Sequence, residues 1–325
     1  MNKYMVALSA ALLAGTLSAN AQDAGKFDKD IMLVMPFSPG ASIDVYAQKF
    51  KQVGEKYLGG KKINIEYKPG GSTSVGMNYM LSRPHDGYTV ILNGNSTEFG
   101  VATEQSEGYT ENDYIGLCNL ASEQAVVFVN SESPFNSLGD FLEAARKEPG
   151  KYKWGGGSTM SQNHFFPLQT MAIAGVEFDY IPYENGGEVM LAILGKNIDI
   201  GGISSSAAIP YRKEGKIKIL AQGLDTRAAD LPDVPTAYET PGLDIAKYGF
   251  PYWSTRSIDA PADVPEAMLV EWDKLIKAIV NDQEWIDFMK SRGVPLDTFK
   301  ARKEATDYIR SSTANLREVY QKMMK

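Results

Sequence analysis

Side chains able to do covalent or metal chemistry are few in this sequence: one cysteine, Cys118, and two histidines, His85 and His164, among 325 residues. A single thiol forms neither an intramolecular disulfide nor a Cys-x-x-Cys metal site, and two imidazoles are too few for a multi-histidine centre. A serine hydrolase would have to use one of those two histidines, and the sequence has no G-x-S-x-G elbow, phosphate-binding G-x-x-x-x-G-K-[ST] loop, H-E-x-x-H motif or strand-following G-x-G-x-x-G. No catalytic residue, metal or cofactor is assigned. What the chain offers instead is uncharged hydrogen-bonding loop chemistry. Four stretches, 38–42, 70–74, 93–97 and 155–161, are rich in Gly, Ser, Thr and Asn and almost free of charge. Backbone amides and hydroxyls in such loops can wrap a carboxylate without reacting with it. Lys plus Arg totals 33 against 40 for Asp plus Glu, a net charge of −7, so no basic stripe is available and a nucleic-acid partner is not expected.

The elements that must hold these loops alternate along the chain. Ile31-Met-Leu-Val-Met35 is a continuous apolar run of the kind buried on both faces of a parallel sheet, and it stops at Pro36. From Asp44 onward Tyr46, Ala47, Phe50, Val53 and Tyr57 recur at helical spacing. Strand patterns follow at 63–67, 88–92, 126–129, 152–154, 198–200 and 217–220, separated by helical stretches that include 74–82 and 137–147, the latter with Ser137 as N-cap. Pro167 sits awkwardly in the helix expected after 161, since a proline past the first turn removes a backbone donor. The C-terminal third reads as mostly helical. Repeated strand–helix units predict an α/β fold with a largely parallel sheet, whose ligands bind beyond the carboxyl ends of the strands.

Residues 1–21 read as a secretory signal peptide: Lys3 supplies the positive start, 6–17 is mostly apolar, and Ala19-Asn-Ala21 provides small residues for cleavage before Gln22. No Cys follows that point, so no lipid anchor is expected, and the expected location is the periplasm, where a lone thiol suits an oxidising compartment.

Pro36-Phe-Ser-Pro-Gly-Ala-Ser-Ile-Asp44, Tyr67-Lys-Pro-Gly-Gly71 followed by Gly76, His85-Asp-Gly-Tyr-Thr89, Ile181-Pro-Tyr183 with Asp199 downstream, and Leu231-Pro-Asp-Val-Pro-Thr236 occur in this order. Together they resemble the Bug or TctC-like family, the extracytoplasmic solute receptors of tripartite tricarboxylate transporters, over about residues 31 to 320. The resemblance implies a two-lobed type II periplasmic binding protein with a ligand cleft between the lobes. It implies that the protein captures a small organic carboxylate and delivers it to membrane permease subunits, as a monomer and without a cofactor. On that reading residues 22–125 and 250–325 form lobe 1 and 126–249 form lobe 2. By motif, Phe37, Ser38, Ala41, Ser42 and Asp44 in the first loop and Asn95, Ser96 and Thr97 in another would grip one carboxylate. Ser158 and Ser161 from the glycine-rich loop, the Gly186-Gly187 turn and Ser204 after Asp199 would contribute from the far lobe, and His164, near the start of the following helix, reads either as a donor to a carboxylate or as a helix-capping residue.

The sequence departs from the family pattern at several places. Ala41 replaces a Gly, which narrows the approach to the backbone. Ile203 stands where the family commonly has an Asp suited to a ligand amine, which makes an amino-acid ligand less expected, and Glu184 stands where small or basic residues are common. Asp44 opens a helix, where a carboxylate is stabilised by the dipole, so its role is either structural or ligand-facing. Arg256 reads as a surface residue, with pairing to a second ligand carboxylate as the other reading. Trp154, Tyr183, Tyr252 and Trp253 read as packing aromatics that could also stack on a planar ligand, and Cys118 as core. Two other functions stay open on the sequence: an exported hydrolase-like enzyme, and a ligand sensor for a membrane signalling partner.

Overall fold

β1 (Ile31–Met35) is apolar throughout because both of its faces are covered, and Leu33, Val34 and Met35 are fully buried. It lies between β2 (Ile63–Tyr67) and β3 (Thr89–Asn93), both parallel to it. Parallel neighbours require crossovers, supplied by α1 (Asp44–Gly54) and α2 (Ser74–Leu81), while α3 (Ser96–Ala102) leaves the end of β3. α1 buries Tyr46, Ala47, Phe50 and Val53, the face its apolar spacing predicts. The protein is described here from a computed structural model covering residues 25–323, apart from 42, 158–161, 225, 229 and 246–252. The expected signal peptide, residues 1–21, therefore lies outside the described residues.

β4 (Tyr114–Asn130) is far longer than the strand expected at 126–129. Its residues 114–124 pair antiparallel with β9 (Trp253–Pro261), and its residues 125–130 pair antiparallel with β7 (Ile200–Ser204) and β8 (Ile217–Gln222). One strand thus runs through both halves of the molecule. The second half continues with α4 (Leu138–Lys147), started by a reciprocal capping box between Ser137 and Asp140, then β5 (Lys153–Gly156), α5 (Gln162–Ala174), β6 (Asp179–Pro182), α6 (Gly186–Leu194) and α7 (Ser205–Lys213). The chain returns through β9 to α8 (Glu266–Val280), α9 (Gln283–Ser291), β10 (Lys300–Ala301) and α10 (Arg302–Met323). Across the sheet the order is β2-β1-β3-β9-β4-β7-β5-β6, with β8 and β10 also bonded to β4.

Each half of this frame has its own apolar packing. Leu33, Phe50, Leu92, Trp272 and Leu275 pack together in the first half, with Cys118 fully buried among them. In the second, Val127, Phe141, Trp154 and Phe178 cover one face of the sheet and Val126, Phe128, Val189 and Ile193 the other. Pro167 lies inside α5, so the helix runs through the proline and forgoes that residue's backbone donor. Arg256 is no surface residue: it is 3% exposed on β9, because the strand that carries it lies in the middle of the sheet. Trp154 is likewise sealed in the second core, stacked 5.1 Å from Phe178, which leaves it unable to stack on a ligand. Among the described residues no helix is long and apolar enough to cross a membrane.

Candidate functional site

The loop after β1 bends because of its own chemistry. Gly40 adopts φ +82°, a conformation that favours glycine, and its N–H donates to Asp44 Oδ2 at 2.9 Å. Asp44 Oδ1 accepts from the Tyr67 hydroxyl at 2.8 Å. The Asp44 carboxylate, 9% exposed, thereby ties the loop to the first turn of α1 and to the end of β2. Close behind the loop, Gly76 of α2 abuts Pro36 so tightly that a Cβ there would come within 2.7 Å of Pro36 Cβ, so the glycine lets α2 pack against the end of β1.

The loop after β2 is held in an unusual backbone conformation. Ser72 and Thr73 have φ of 49° and 82°, a region that side-chain-bearing residues and β-branched ones above all avoid. A hydrogen bond of 2.8 Å between the Thr73 and Thr97 hydroxyls pins this loop to α3. Thr97 in turn donates to Asn93 Oδ1 at 2.6 Å, and Asn93 Nδ2 donates to Asp259 Oδ2 at 3.2 Å. A polar chain therefore runs from the loops into the sheet.

These loops line a cavity of about 470 Å³ whose wall includes Phe37, Ser38, Gly40, Ala41, Gly70, Ser72, Thr73 and Ser96 from the first half and Glu184 and Asn185 from the second. It sits beyond the carboxyl ends of β1, β2 and β3, facing the connection from β6 to α6. The hydroxyls of Ser38, Ser72 and Ser96 have no hydrogen-bond partner among the described residues, and no Lys, Arg or His lines the cavity. Lys68, next to the lining residue Pro69, is turned to Glu66 at 2.8 Å. A larger cavity of about 890 Å³ lies between β4, α8 and α10, lined by Ile115, Phe299, Asp273 and Arg302 among others, and touches none of the residues singled out from the sequence. Its most prominent charge, Arg302, is held by Asp273 and Glu266, each at 2.8 Å.

Of the residues singled out from sequence, Phe37, Ser38, Ala41 and Ser96 line the smaller cavity. Asn95 and Thr97 are buried behind it, at 2% and 0% exposure. Gly186 and Gly187 begin α6, one residue past the lining Asn185, and Gly186 packs over Ile203. Ser204 ends β7 opposite Ala125 of β4. His164 on α5 is half-buried with its ring 4.3 Å from that of Tyr180, and burial lowers its pKa. Ser42, Ser158 and Ser161 lie outside the described residues, as does Tyr252. Sequence reasoning assigned no ligand role to Ser72, Thr73 or Asn185, although 70–74 stands out as a polar glycine loop. The signal that reaches Asn185 is its position just before the helix that opens at Gly186.

Arg256 extends this polar interior at the crossing strands. Its Nη2 is 3.0 Å from Glu123 Oε2 on β4, with both side chains less than 5% exposed, and its Nη1 donates to the Thr255 carbonyl at 2.9 Å. A guanidinium so engaged is not free to meet a ligand.

The fold has many solved counterparts. MatC from Rhodopseudomonas palustris, solved with bound malate, aligns with a TM-score of 0.76 at 19% identity over 90% of this chain and 99% of that one. The R. palustris protein Rpa4515, solved with adipate, aligns at 0.77 and 18% identity over 91% and 97%. In sequence, the "UPF0065 protein in gbd 5'region" of Cupriavidus necator is 29% identical over 244 residues, 75% of this chain and 73% of that protein. The profile of the tripartite tricarboxylate transporter family receptor, TctC, matches residues 47–322. That match takes in most of the chain, and this protein belongs to the TctC family of solute-binding receptors.

Proposed function

We propose that this protein is a periplasmic receptor that captures a small organic carboxylate between its two lobes and hands it to the membrane permease subunits of a tripartite tricarboxylate-type transporter. The observation that carries this reading is the cavity wall: Ser38, Ser72 and Ser96 line one space beyond the strand ends, and among the described residues no charged side chain lines that side. A carboxylate taken up there exchanges water for several aimed N–H and O–H donors, and hydrogen bonds to a charged acceptor are each worth about 1.5–3 kcal/mol. Ser42, Asn95, Thr97, Ser158, Ser161, His164 and Ser204 belong to this reading as donors or supports of donors, and Asp44 as the residue that shapes the first loop. Malate bound to MatC and adipate with Rpa4515 support the carboxylate class. Lobe 1 is taken as 22–125 with 250–325 and lobe 2 as 126–249, so two chain crossings form the hinge. Secretion rests on residues 1–21 acting as a cleaved signal peptide.

The test is thermal unfolding of residues 22–325 against a panel of carboxylates, sugars and neutral polyols. A ligand at about 100 times its Kd stabilises by about 2.7 kcal/mol, which a melt resolves. The expected result is a shift with carboxylates only, lost or weakened at least about tenfold in the Ser38→Ala, Ser96→Ala double variant with its ligand-free melt unchanged. A shift confined to sugars, or unchanged affinity in the double variant, overturns the site.

A further inference from the structure

Two buried carboxyls stand behind the neutral wall of the smaller cavity. Glu98 lies on α3, two residues past Ser96, which lines the cavity, and one past Thr97. Asp259 lies on β9, opposite Ile91 of β3 and Gly116 of β4, in the middle of the sheet. Its Oδ2 accepts from Asn93 Nδ2 at 3.2 Å and from the Ser257 hydroxyl at 3.1 Å, while its Oδ1 meets no donor among the described residues. Glu98 Oε2 likewise meets none. An ionised carboxylate in an interior needs donors on both oxygens, so the geometry suits the protonated form of each acid. Burial acts in the same direction: it pushes Glu98 up to about 8, with the Asp259 charge adding to the effect, and Asp259 up to about 7.

The elements packed around the pair bond no cation to it among the described residues. Tyr109, ahead of β4, and Tyr114 and Cys118 on β4 stay neutral, their pKa values raised by burial. Arg310 of α10 donates to the Tyr114 carbonyl at 3.1 Å, and Arg317 is held by Glu111 at 3.1 Å. α5 meets α3 through Phe165 and carries His164, whose pKa burial lowers. β3 and α2 bring Asn93 and Met77, neither of which ionises. Hydrogen bonds tie the pair to the cavity wall. Thr97 donates its one hydroxyl proton to Asn93 Oδ1 at 2.6 Å, so in the 2.8 Å bond between the Thr97 and Thr73 hydroxyls the donor is Thr73. The chain from Asp259 through Asn93, Thr97 and Thr73 therefore ends beside Ser72 and Ser96, both of which line the cavity. Ionisation of the pair places negative charge within one turn of α3 from Ser96, in an interior that screens it less than water does. An anion held at that wall is repelled by the ionised pair, and by linkage its arrival favours the protonated one.

We propose that this receptor takes up a proton together with its anionic ligand, the proton residing on the Glu98–Asp259 pair behind the Ser72–Ser96 wall, so that affinity falls as pH rises above neutrality. The inference rests on the carboxylate-receptor reading above.

Calorimetric titration of residues 22–325 with malate, adipate and the other carboxylates of the panel tests it, at about pH 6.5 and about pH 9 and in buffers of different protonation heat. These probes have largely lost their own protons over that range. The expected result is a Kd at least about fivefold weaker at the higher pH, and a binding heat near about pH 7.5 whose dependence on buffer reports net proton uptake. Glu98→Gln and Asp259→Asn, singly and together, are expected to flatten the pH profile and reduce the uptake, which a purely structural role of these residues would not do. A wild-type affinity independent of pH, a heat independent of buffer, or a pH profile that the double variant keeps overturns the proton linkage while the receptor reading stands. Should the substituted chains fail to fold, the infrared band of protonated carboxyls in the wild type decides: saturating ligand is expected to carry that band to higher pH, and a band that ligand leaves unmoved overturns the inference. Absence of binding by every carboxylate at both pH values overturns the receptor reading, and this inference with it.

Discussion

Glu98 and Asp259 are buried carboxyls with no cation bonded to them among the described residues, set behind the loops that line the smaller cavity. Burial pushes Glu98 up to about 8, with the neighbouring Asp259 charge adding to the effect, and pushes Asp259 up to about 7. Both groups hold their proton in the folded chain at pH values where the unfolded chain, with carboxyls near about 4, has lost it. Between about pH 4 and 8 the folded state therefore binds more protons, and the contribution of these groups to stability falls as pH rises. Glu98→Gln removes that liability: the variant is expected to gain stability over wild type at about pH 8 and to show no such gain at about pH 5, read by denaturant titration at both. An equal loss at both pH values would show that Glu98 is ionised and held by partners. At this scale the sequence was informative about residue type and silent about direction. The hydroxyl-rich loops were visible, and Ser38 and Ser96 do face the cavity, whereas Thr97, one position further on, turns inward to Asn93. Helical geometry swings adjacent side chains by roughly 100°, and no spacing rule fixes which one meets the ligand when α3 is so short.

At the scale of elements, the polar stretch of β4 is the clearest case of a strand whose sequence disguises it. Asn119, Ser122, Glu123 and Gln124 interrupt the apolar run, so only 126–129 reads as strand, yet all four are buried. Each has a buried partner: Glu123 bonds the guanidinium of Arg256, which lies opposite Ala121, while Gln124 bonds Gln222 and Asn119 bonds Ser122 and the Thr298 carbonyl. The same strands carry two register shifts between Gly116 and Ala121, and irregular pairing of that sort lets a sheet bend. The apolar strands, in contrast, were legible, since β1 needs nothing but burial. Breaking one partner of a buried ion pair leaves the other charge stranded, which costs about 3–5 kcal/mol, whereas replacing both by apolar groups is often neutral. Arg256→Met is accordingly expected to lower unfolding free energy by about 3–5 kcal/mol, and the Arg256→Met, Glu123→Leu double variant to recover most of the loss in the same denaturation experiment. Losses that simply add would mean the two side chains contribute through packing alone.

At the scale of the whole molecule, the halves meet, among the described residues, at the crossing strands, at the smaller cavity and at a small apolar patch. In that patch Phe165 of α5 packs edge-on against Phe99 of α3, with ring centroids 5.0 Å apart, alongside Ala102 and Leu316. Phe165 is 1% exposed, and it comes from the helix that follows the glycine-rich loop, while its neighbours come from the other half of the chain. Composition and periodicity could not anticipate such a contact, because an aromatic on a helix looks the same whether it seals its own core or another lobe's; the two-lobed arrangement was legible through the ordered family motifs. Apolar surface that is buried only when the lobes come together favours the closed arrangement, at roughly 25 cal/mol per Å² removed from water. On the proposed reading ligand affinity depends on that preference, since the closed form would bring the loops of both halves to the same molecule, and a smaller closed population weakens apparent binding in proportion. Phe165→Ala is therefore expected to raise the radius of gyration of the ligand-free protein in solution scattering and to weaken binding of the carboxylate identified by the melts at least about fivefold, with saturating ligand restoring the compact radius. The Phe99→Ala variant should act in the same direction from the opposite lobe. Unchanged scattering and unchanged affinity in both variants, with only a lower melting temperature, would assign the patch to fold stability and remove it from the closure equilibrium.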